Sequence, residues 1–303
     1  VKARFDIVGH RKWFFMLSGT ITVLGLIAFT VFGFNLGTDF KAGSRVQLQL
    51  NQPVNSAKVQ QMFAAGGFHL GEGAVTVQGT LGQTAVVRFG EELTPAQVAK
   101  ITQLEKQYFP KSQGASTEMV DPIVAQQTSS KAVWSVLLAS LFIVIYVAIR
   151  FEYRFAIAGI VALLHDAFIV MSVFALLRME VDLTFVAAIL TIVGYSINDT
   201  IVIFDRIREN QKISKPRSYE ELQRLVEMSL WQTMRRSINT VITVLIAAVM
   251  LYFFGGQSIH TFTFALIIGL ISGAYSSIFI ASPLWVIWRG REFRKIKAKG
   301  QTA

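Results

Sequence analysis

The sequence predicts an α-helical polytopic membrane protein with six transmembrane helices and one extracytoplasmic α+β domain of ferredoxin-like arrangement. Three observations lead there. First, 52% of the 303 residues are hydrophobic and only 16% are charged, with a mean hydropathy of +0.48. That balance belongs to a membrane protein with a soluble part attached, not to a water-soluble enzyme. Second, six apolar runs are long enough to cross a hydrocarbon layer of ~30 Å. Third, a single polar stretch between the first and second runs alternates strand and helix patterns. Cysteine is absent, so disulfide and thiolate chemistry are excluded.

Residues 1–12 are basic (Lys2, Arg4, Arg11, Lys12) and read as a cytoplasmic N-terminus. Residues 13–34 are apolar throughout. The run is too long for a signal-peptide core and no clean small-residue cleavage site follows it, so it reads as the first transmembrane helix. Lys12 and Trp13 stand where interfacial anchors belong.

Residues 35–130 read as the extracytoplasmic domain. Val46, Leu48 and Leu50 alternate as in a half-buried strand. Residues 56–65 have helical spacing, with Ser56 as N-cap and Gly66-Gly67 as the stop. Residues 74–78 and 84–89 are strands flanking a Gly-Thr-Leu-Gly turn. Thr94-Pro95 opens a second helix, on which Val98, Ile101, Leu104 and Tyr108 make one apolar face. Residues 115–120 form the last strand. The order β-α-β-β-α-β is the ferredoxin-like one. The domain carries no metal-ligand cluster and reads as a binding or docking module.

Asp121-Pro122 returns the chain to the membrane, and residues 131–290 read as a five-helix bundle. Its spans are expected at 132–149, 155–177, 183–204, 237–254 and 262–288. A cytoplasmic loop, 205–236, separates the fourth and fifth spans. Within it, residues 218–234 have the spacing of an amphipathic helix lying at the membrane surface. Residues 291–303 form a basic cytoplasmic tail.

Of the 29 Lys and Arg residues, 20 lie in the segments on the side of the two termini and nine on the other. All but two of those nine sit in the folded domain, which counts weakly. The positive-inside rule therefore puts both termini and the 205–236 loop in the cytoplasm and the domain outside. The net charge of +10 is orientation signal and contact with anionic membrane lipid, not a nucleic-acid surface. One helix, a large domain and five helices make a lopsided transporter, and a partner chain is expected.

The stretch 193–210 organises the chain. Asn198 and Asp199 sit near the end of the fourth apolar run. A carboxylate at that depth costs at least ~2.5 kcal/mol on insertion scales, so it faces protein or water and has a partner. Asp205, Arg206, Arg208 and Glu209 then mark the exit into water. A buried acid inside a charged mouth suits a proton or cation pathway; a structural ion pair is the competing reading. Arg236 opens the fifth span beside Arg235 and lies one residue deeper, which makes it the candidate counter-charge to Asp199.

His165 and Asp166, in the middle of the third span, are either a relay or a packing pair. Neighbours on a helix point about 100° apart, so they do not share one partner. Gly269, Gly273 and Ser277 form a small-xxx-small helix-packing face. The sequence holds no phosphate-binding glycine loop, no nucleophile constellation and no zinc spacing. No catalytic residue, metal or cofactor is expected, and any work must draw on an ion gradient or a partner.

Several blocks together resemble the SecD/SecF family of bacterial protein-export membrane proteins, in the resistance-nodulation-division superfamily. They are residues 33–43 (Gly-Phe-Asn-Leu-Gly-Thr-Asp-Phe-Lys-Ala-Gly, with Gly37, Asp39 and Gly43), His165-Asp166, residues 194–210 (with Gly194, Tyr195, Ser196, Asp205 and Arg206), residues 232–236 and residues 251–256. The resemblance implies a non-enzymatic, proton-motive-force-coupled accessory subunit of the Sec translocase in the bacterial cytoplasmic membrane. It also implies a SecD partner, the SecYEG channel with other translocon accessory proteins, and contact with exported polypeptide. In the family, the positions of Asp199 and Arg236 belong to the proton-conducting site, together with an aspartate from SecD. Lys41-Ala42-Gly43 departs from the Thr-Gly-Gly of many members, and Ala42 lacks the freedom of glycine at positive φ. Two other readings remain open: a small-molecule or lipid exporter of the same superfamily, and a non-conducting translocon scaffold.

Overall fold

The structure, a computed structural model, describes residues 5–71, 74–78, 82–256 and 259–300, and their side chains except at 78 and 292–300. The elements in order are α1 (Arg11–Phe32), β1 (Asn35–Leu36), β2 (Gly43–Gln49), α2 (Ser56–Ala65), β3 (Val75–Gln78), β4 (Thr84–Phe89), α3 (Pro95–Tyr108), β5 (Gly114–Val120), α4 (Pro122–Arg150), α5 (Tyr153–Leu176), β6 (Glu180–Val181), α6 (Leu183–Ser214), α7 (Tyr219–Phe254), α8 (His260–Ser276), a π-helical turn (Ser277–Ala281) and α9 (Ser282–Gly300). Lys2, Arg4, the Gly79-Thr80-Leu81 part of the expected turn and the basic side chains beyond residue 291 lie outside what is described.

Among the described residues six helices are long and apolar enough to cross a membrane, the last being α8 through α9 over His260–Arg291. They are not equivalent. The apolar window of the last span is 61% buried within the chain and that of α4 only 6%. α5, α6 and α8 therefore form the inner bundle, with α1, α4 and α7 around it. Phe155, Phe174, Phe204 and Trp285 fill its core.

Between α1 and α4 lies the α+β domain. Its sheet runs β3-β4-β2-β5, every neighbouring pair antiparallel. With strands renumbered within the domain this is the 4-1-3-2 order of a β-α-β-β-α-β unit. Val46, Leu48, Ala85 and Val87 on the covered face pack against Val59, Met62, Phe63 and Ile101 of the two helices. α3 starts as its sequence requires: Thr94 and Gln97 form a reciprocal capping box with Pro95 at the first helical position.

The structure corrects three expectations. Asn55, not Ser56, caps α2, accepting a hydrogen bond from the Ala57 amide at 3.0 Å. The domain ends at Val120, and α4 starts at Pro122 with Asp121 as N-cap. No helix breaker separates residue 122 from the span expected ten residues later, so a single helix of 29 residues forms. The third concerns residues 205–236. They are neither a loop nor a helix lying on the membrane: α6 continues to Ser214, Pro216 prevents further propagation, and α7 begins at Tyr219 and runs unbroken into the span. The stripe Leu222, Leu225, Val226 and Leu230 is buried against the bundle core rather than turned to lipid. Asn210 ties the two extensions together, donating to Ser229 and Gln232 at 2.8 Å each.

Two short strands have no signature in the sequence. β1, just after α1, pairs in parallel with β6, just before α6. The Gly37 amide donates to Val181 O at 2.8 Å, and the Leu183 amide to Asp39 at 2.9 Å. Gly37 has no room for a side chain, because a Cβ there would lie 2.6 Å from a Glu180 carboxylate oxygen. Gly43 adopts φ 134°, and a Cβ there would collide with the Phe89 carbonyl oxygen. Ala42 is not among the positive-φ residues, so the departure from Thr-Gly-Gly costs no backbone strain: only Gly43 needs glycine's freedom.

Candidate functional site

The inner bundle contains two buried acids, and their surroundings are opposite. Asp166, on α5, is 1% exposed. Its Oδ2 accepts from Ser196 on α6 at 2.6 Å and from Ser276 on α8 at 2.7 Å. Its Oδ1 accepts from Ser272 on α8 at 2.7 Å, and His165 Nδ1 lies 3.2 Å away. With four contacts on two oxygens the carboxylate is fully satisfied, and it joins three helices at one point. Beyond that contact His165 has its own neighbour, its ring stacked 6.3 Å from that of Tyr275. The two residues contact each other, while their remaining neighbours differ: three serines for Asp166 and Tyr275 for His165.

Asp199 lies on α6 one turn beyond Ser196. It is 7% exposed, and its Oδ2 is buried without a hydrogen-bond partner. Ser237 and Arg236, at the point where α7 enters the bundle, are its polar neighbours. Among the described residues Asp199 forms no ion pair within 4.0 Å, and Ser237 Oγ has no hydrogen bond of normal geometry. The cleft that reaches Asp199 is lined by Tyr195, Ser196, Asn198, Thr240 and Gly273, with about 20 Å³ for water, room for about one molecule. Asn198 and Arg236 are exposed. The counter-charge proposed from sequence is therefore near the acid but not bonded to it.

The remaining motif residues fall into place around these two. Gly269 abuts the Ile192 side chain of α6, a Cβ on Gly273 would come within 3.2 Å of Ser196, and Ser277 Oγ meets Thr200 Oγ at 2.8 Å. The small-residue face thus brings α8 against the stretch of α6 that carries both Ser196 and Asp199. The π-helical turn begins at Ser277, and Ser282 donates back to its carbonyl at 3.1 Å; such turns recur at functional sites. Asp205 pairs with Arg150 at 3.3 Å. Arg206 donates to Gln232 and Glu209 at 2.6 Å each. Unlike Gly269 and Gly273, Gly194 is in open space: a Cβ there would meet nothing within 4 Å. It lies with Tyr195 and Asn198 on an exposed stripe of α6.

Sequence reasoning named Ser196 only through its motif and did not find Ser272 or Ser276. A usable signal existed. Serines four residues apart in an apolar span share one helix face, and a face of hydroxyls in lipid-depth sequence asks for an acceptor. Asp166 is that acceptor. Among the described residues no cluster of three or more His, Asp or Glu side chains has the arrangement to hold a metal ion.

Residues 100–291 match the family model described as protein export membrane protein SecD/SecF, C-terminal, and residues 27–54 match that of the SecD/SecF GG motif. The chain is 63% identical to the protein translocase subunit SecF of Alicyclobacillus acidocaldarius, over 97% of this chain and 96% of that protein. It is 43% identical to protein translocase subunit SecDF of Bacillus subtilis, over 98% of this chain but only 40% of that longer protein. The crystal structure of SecDF, a translocon-associated membrane protein from Thermus thermophilus, superposes with a TM-score of 0.85 at 32% identity, covering 95% of this chain and 39% of that one.

Proposed function

The chain belongs to the SecD/SecF family of protein-export membrane proteins, and on that premise we propose that it couples the proton motive force to polypeptide export through Asp199. It is a bacterial inner-membrane protein with an accessory role in protein export, and the fused relatives place SecD as its associate. The observation that carries the coupling reading is the contrast between the two acids. Asp166 is bonded at every position; Asp199 is buried, has an unpartnered oxygen, lines a one-water cleft together with the exposed Asn198, and has the exposed Arg236 as a nearby positive charge. A group held this way can gain and lose a proton without dismantling the bundle.

The site is unfinished within this chain. Gly194, Tyr195, Asn198 and Arg236 face outward, and a small residue beside polar ones on a membrane helix is the surface another helix packs on. The SecD helix that brings the family's second aspartate fits there. Charge counting puts both termini in the cytoplasm and the α+β domain outside, where it meets polypeptide emerging from SecYEG. Basic residues at the cytoplasmic ends contact anionic lipid. One proton crossing at 100 mV releases ~2.3 kcal/mol, enough to bias a two-state motion.

The test is ATP-driven export of a precursor into inverted vesicles holding this chain, SecD and SecYEG, with and without a proton gradient. Asp199→Asn should abolish the gradient-stimulated part and spare the rest. Unchanged stimulation would move the scaffold reading ahead; stimulation that follows a sodium gradient would change the ion; altered efflux of small molecules or lipid with export intact would favour the exporter.

A further inference from the structure

The outer end of α6 is built into the α+β domain. Arg88 stands on β4, an inner strand of the domain sheet, and its guanidinium leaves the domain. Nη1 donates to Asn35 Oδ1 on β1 at 3.1 Å, and Nη2 pairs with the Glu180 carboxylate on β6. Asn35 in turn donates to Arg178 O at 2.9 Å, and Arg178 reaches back to the Phe32 and Gly33 carbonyls at the end of α1. The β1–β6 pair and the bond from Leu183 N to Asp39 close the ring. The ion pair is desolvated: the Arg88 side chain is 14% exposed and that of Glu180 3%. Separating such a pair strands a buried charge, so this contact is a poor place for a hinge. Gly37, with no Cβ, is what lets the Glu180 carboxylate sit there.

We propose that Arg88 and Glu180 are positioning residues that lock the external domain to the helix bearing Asp199, so that domain and helix move as one body and the joint stays closed through the working cycle. This rests on the coupling role assigned to Asp199. A proton event that shifts α6 then displaces the domain directly, with no hinge between them to absorb the movement.

The absence of native cysteine allows a clean test. Leu36 and Val181 are directly paired across the joint, so Leu36→Cys with Val181→Cys closes it with a disulfide. In vesicles with SecD and SecYEG, the oxidised chain should keep the gradient-stimulated export of its reduced form. Arg88→Ala should lose at least about threefold of that stimulation, and the disulfide placed in the Arg88→Ala chain should restore it, because a covalent tie replaces the ionic one. Loss of stimulation on oxidation with recovery in reductant would show that the joint must open, and would overturn the proposal. So would failure of the disulfide to rescue Arg88→Ala.

Amide hydrogen exchange of the full chain in nanodiscs separates this from the coupling reading. Exchange at Gly37 and Leu183 should be slow and equal in wild type and Asp199→Asn, and at least about tenfold faster in Arg88→Ala. Fast exchange in wild type would overturn the joint. Retained gradient stimulation in Asp199→Asn would overturn the coupling role alone.

Discussion

Replacing Asp166 and Asp199 in turn by alanine separates a structural acid from a working one in the same bundle. In Asp166→Ala, the hydroxyls of Ser196, Ser272 and Ser276 lose their acceptor at once. Hydrogen bonds between membrane helices are worth about 0.6 to 1.7 kcal/mol each, so three set the expected loss between about 2 and 5 kcal/mol. The upper end is favoured here, because the three bonds converge on one carboxylate and His165 loses its neighbour too. Asp199→Ala removes a group with one unpartnered oxygen and no described ion pair. Its cost should be below about 1 kcal/mol, because removing a poorly compensated buried carboxylate also removes its desolvation penalty. Both variants would be unfolded reversibly in mixed micelles of mild detergent and dodecyl sulfate, followed by tryptophan fluorescence, with the midpoint compared to wild type. Equal destabilisation by the two substitutions would refute the division of roles, and so would a stable Asp166→Ala.

Three further outcomes follow from the packing. Glu105 is fully buried beneath α3 with neither carboxylate oxygen in a hydrogen bond of normal geometry, and burial pushes its carboxyl above the usual range, Ser112 and Lys106 opposing. Between the unfolded and the folded value, therefore, the folded chain holds more of this proton than the unfolded chain does. The stabilising contribution is present at low pH and lost as pH rises through the folded value, so Glu105→Gln should stabilise the protein near pH 7 by about 1 kcal/mol. The advantage should vanish below about pH 4, and thermal melts at the two pH values check it. Gly269→Ile would drive a branched side chain into Ile192 and should cost about 1–3 kcal/mol by prising α8 from α6, read in the same micelle titration. Gly43→Ala places a Cβ on a φ of 134° and against the Phe89 carbonyl; a loss of about 2 kcal/mol or more is expected, seen as protease sensitivity of the domain with the bundle intact.

The spans were legible because lipid leaves a helix little choice: an apolar run that long must cross. The domain was legible because each strand and helix carries its own period, and Thr94-Pro95 and Asp121-Pro122 mark starts that the structure uses. Charge misled the reading of residues 205–236. Charged residues suggested a loop, yet nothing between Asp205 and Ser214 breaks a helix, and the apolar stripe of the next segment found protein instead of lipid. β1 and β6 were invisible because two residues cannot show a period; only the fold brings residues 35 and 180 together. For the site, hydropathy was enough to flag Asp199 and Asp166 as anomalies. Which of them is satisfied depends on serines on two other helices, and no local pattern encodes that distance. Arg236, the candidate counter-charge, lies near Asp199 but forms no ion pair with it among the described residues, and its side chain is exposed.

The most direct test of the coupling role is the gradient dependence of export in three chains: wild type, Asp199→Glu and Asp199→Asn, each reconstituted with SecD and SecYEG. A carboxyl group that carries protons predicts that glutamate keeps a measurable gradient-stimulated rate and asparagine keeps none, while ATP-driven export is the same in all three. Equal stimulation in the asparagine chain would contradict the account, since an amide at residue 199 does not ionise and so cannot bind and release a proton in turn.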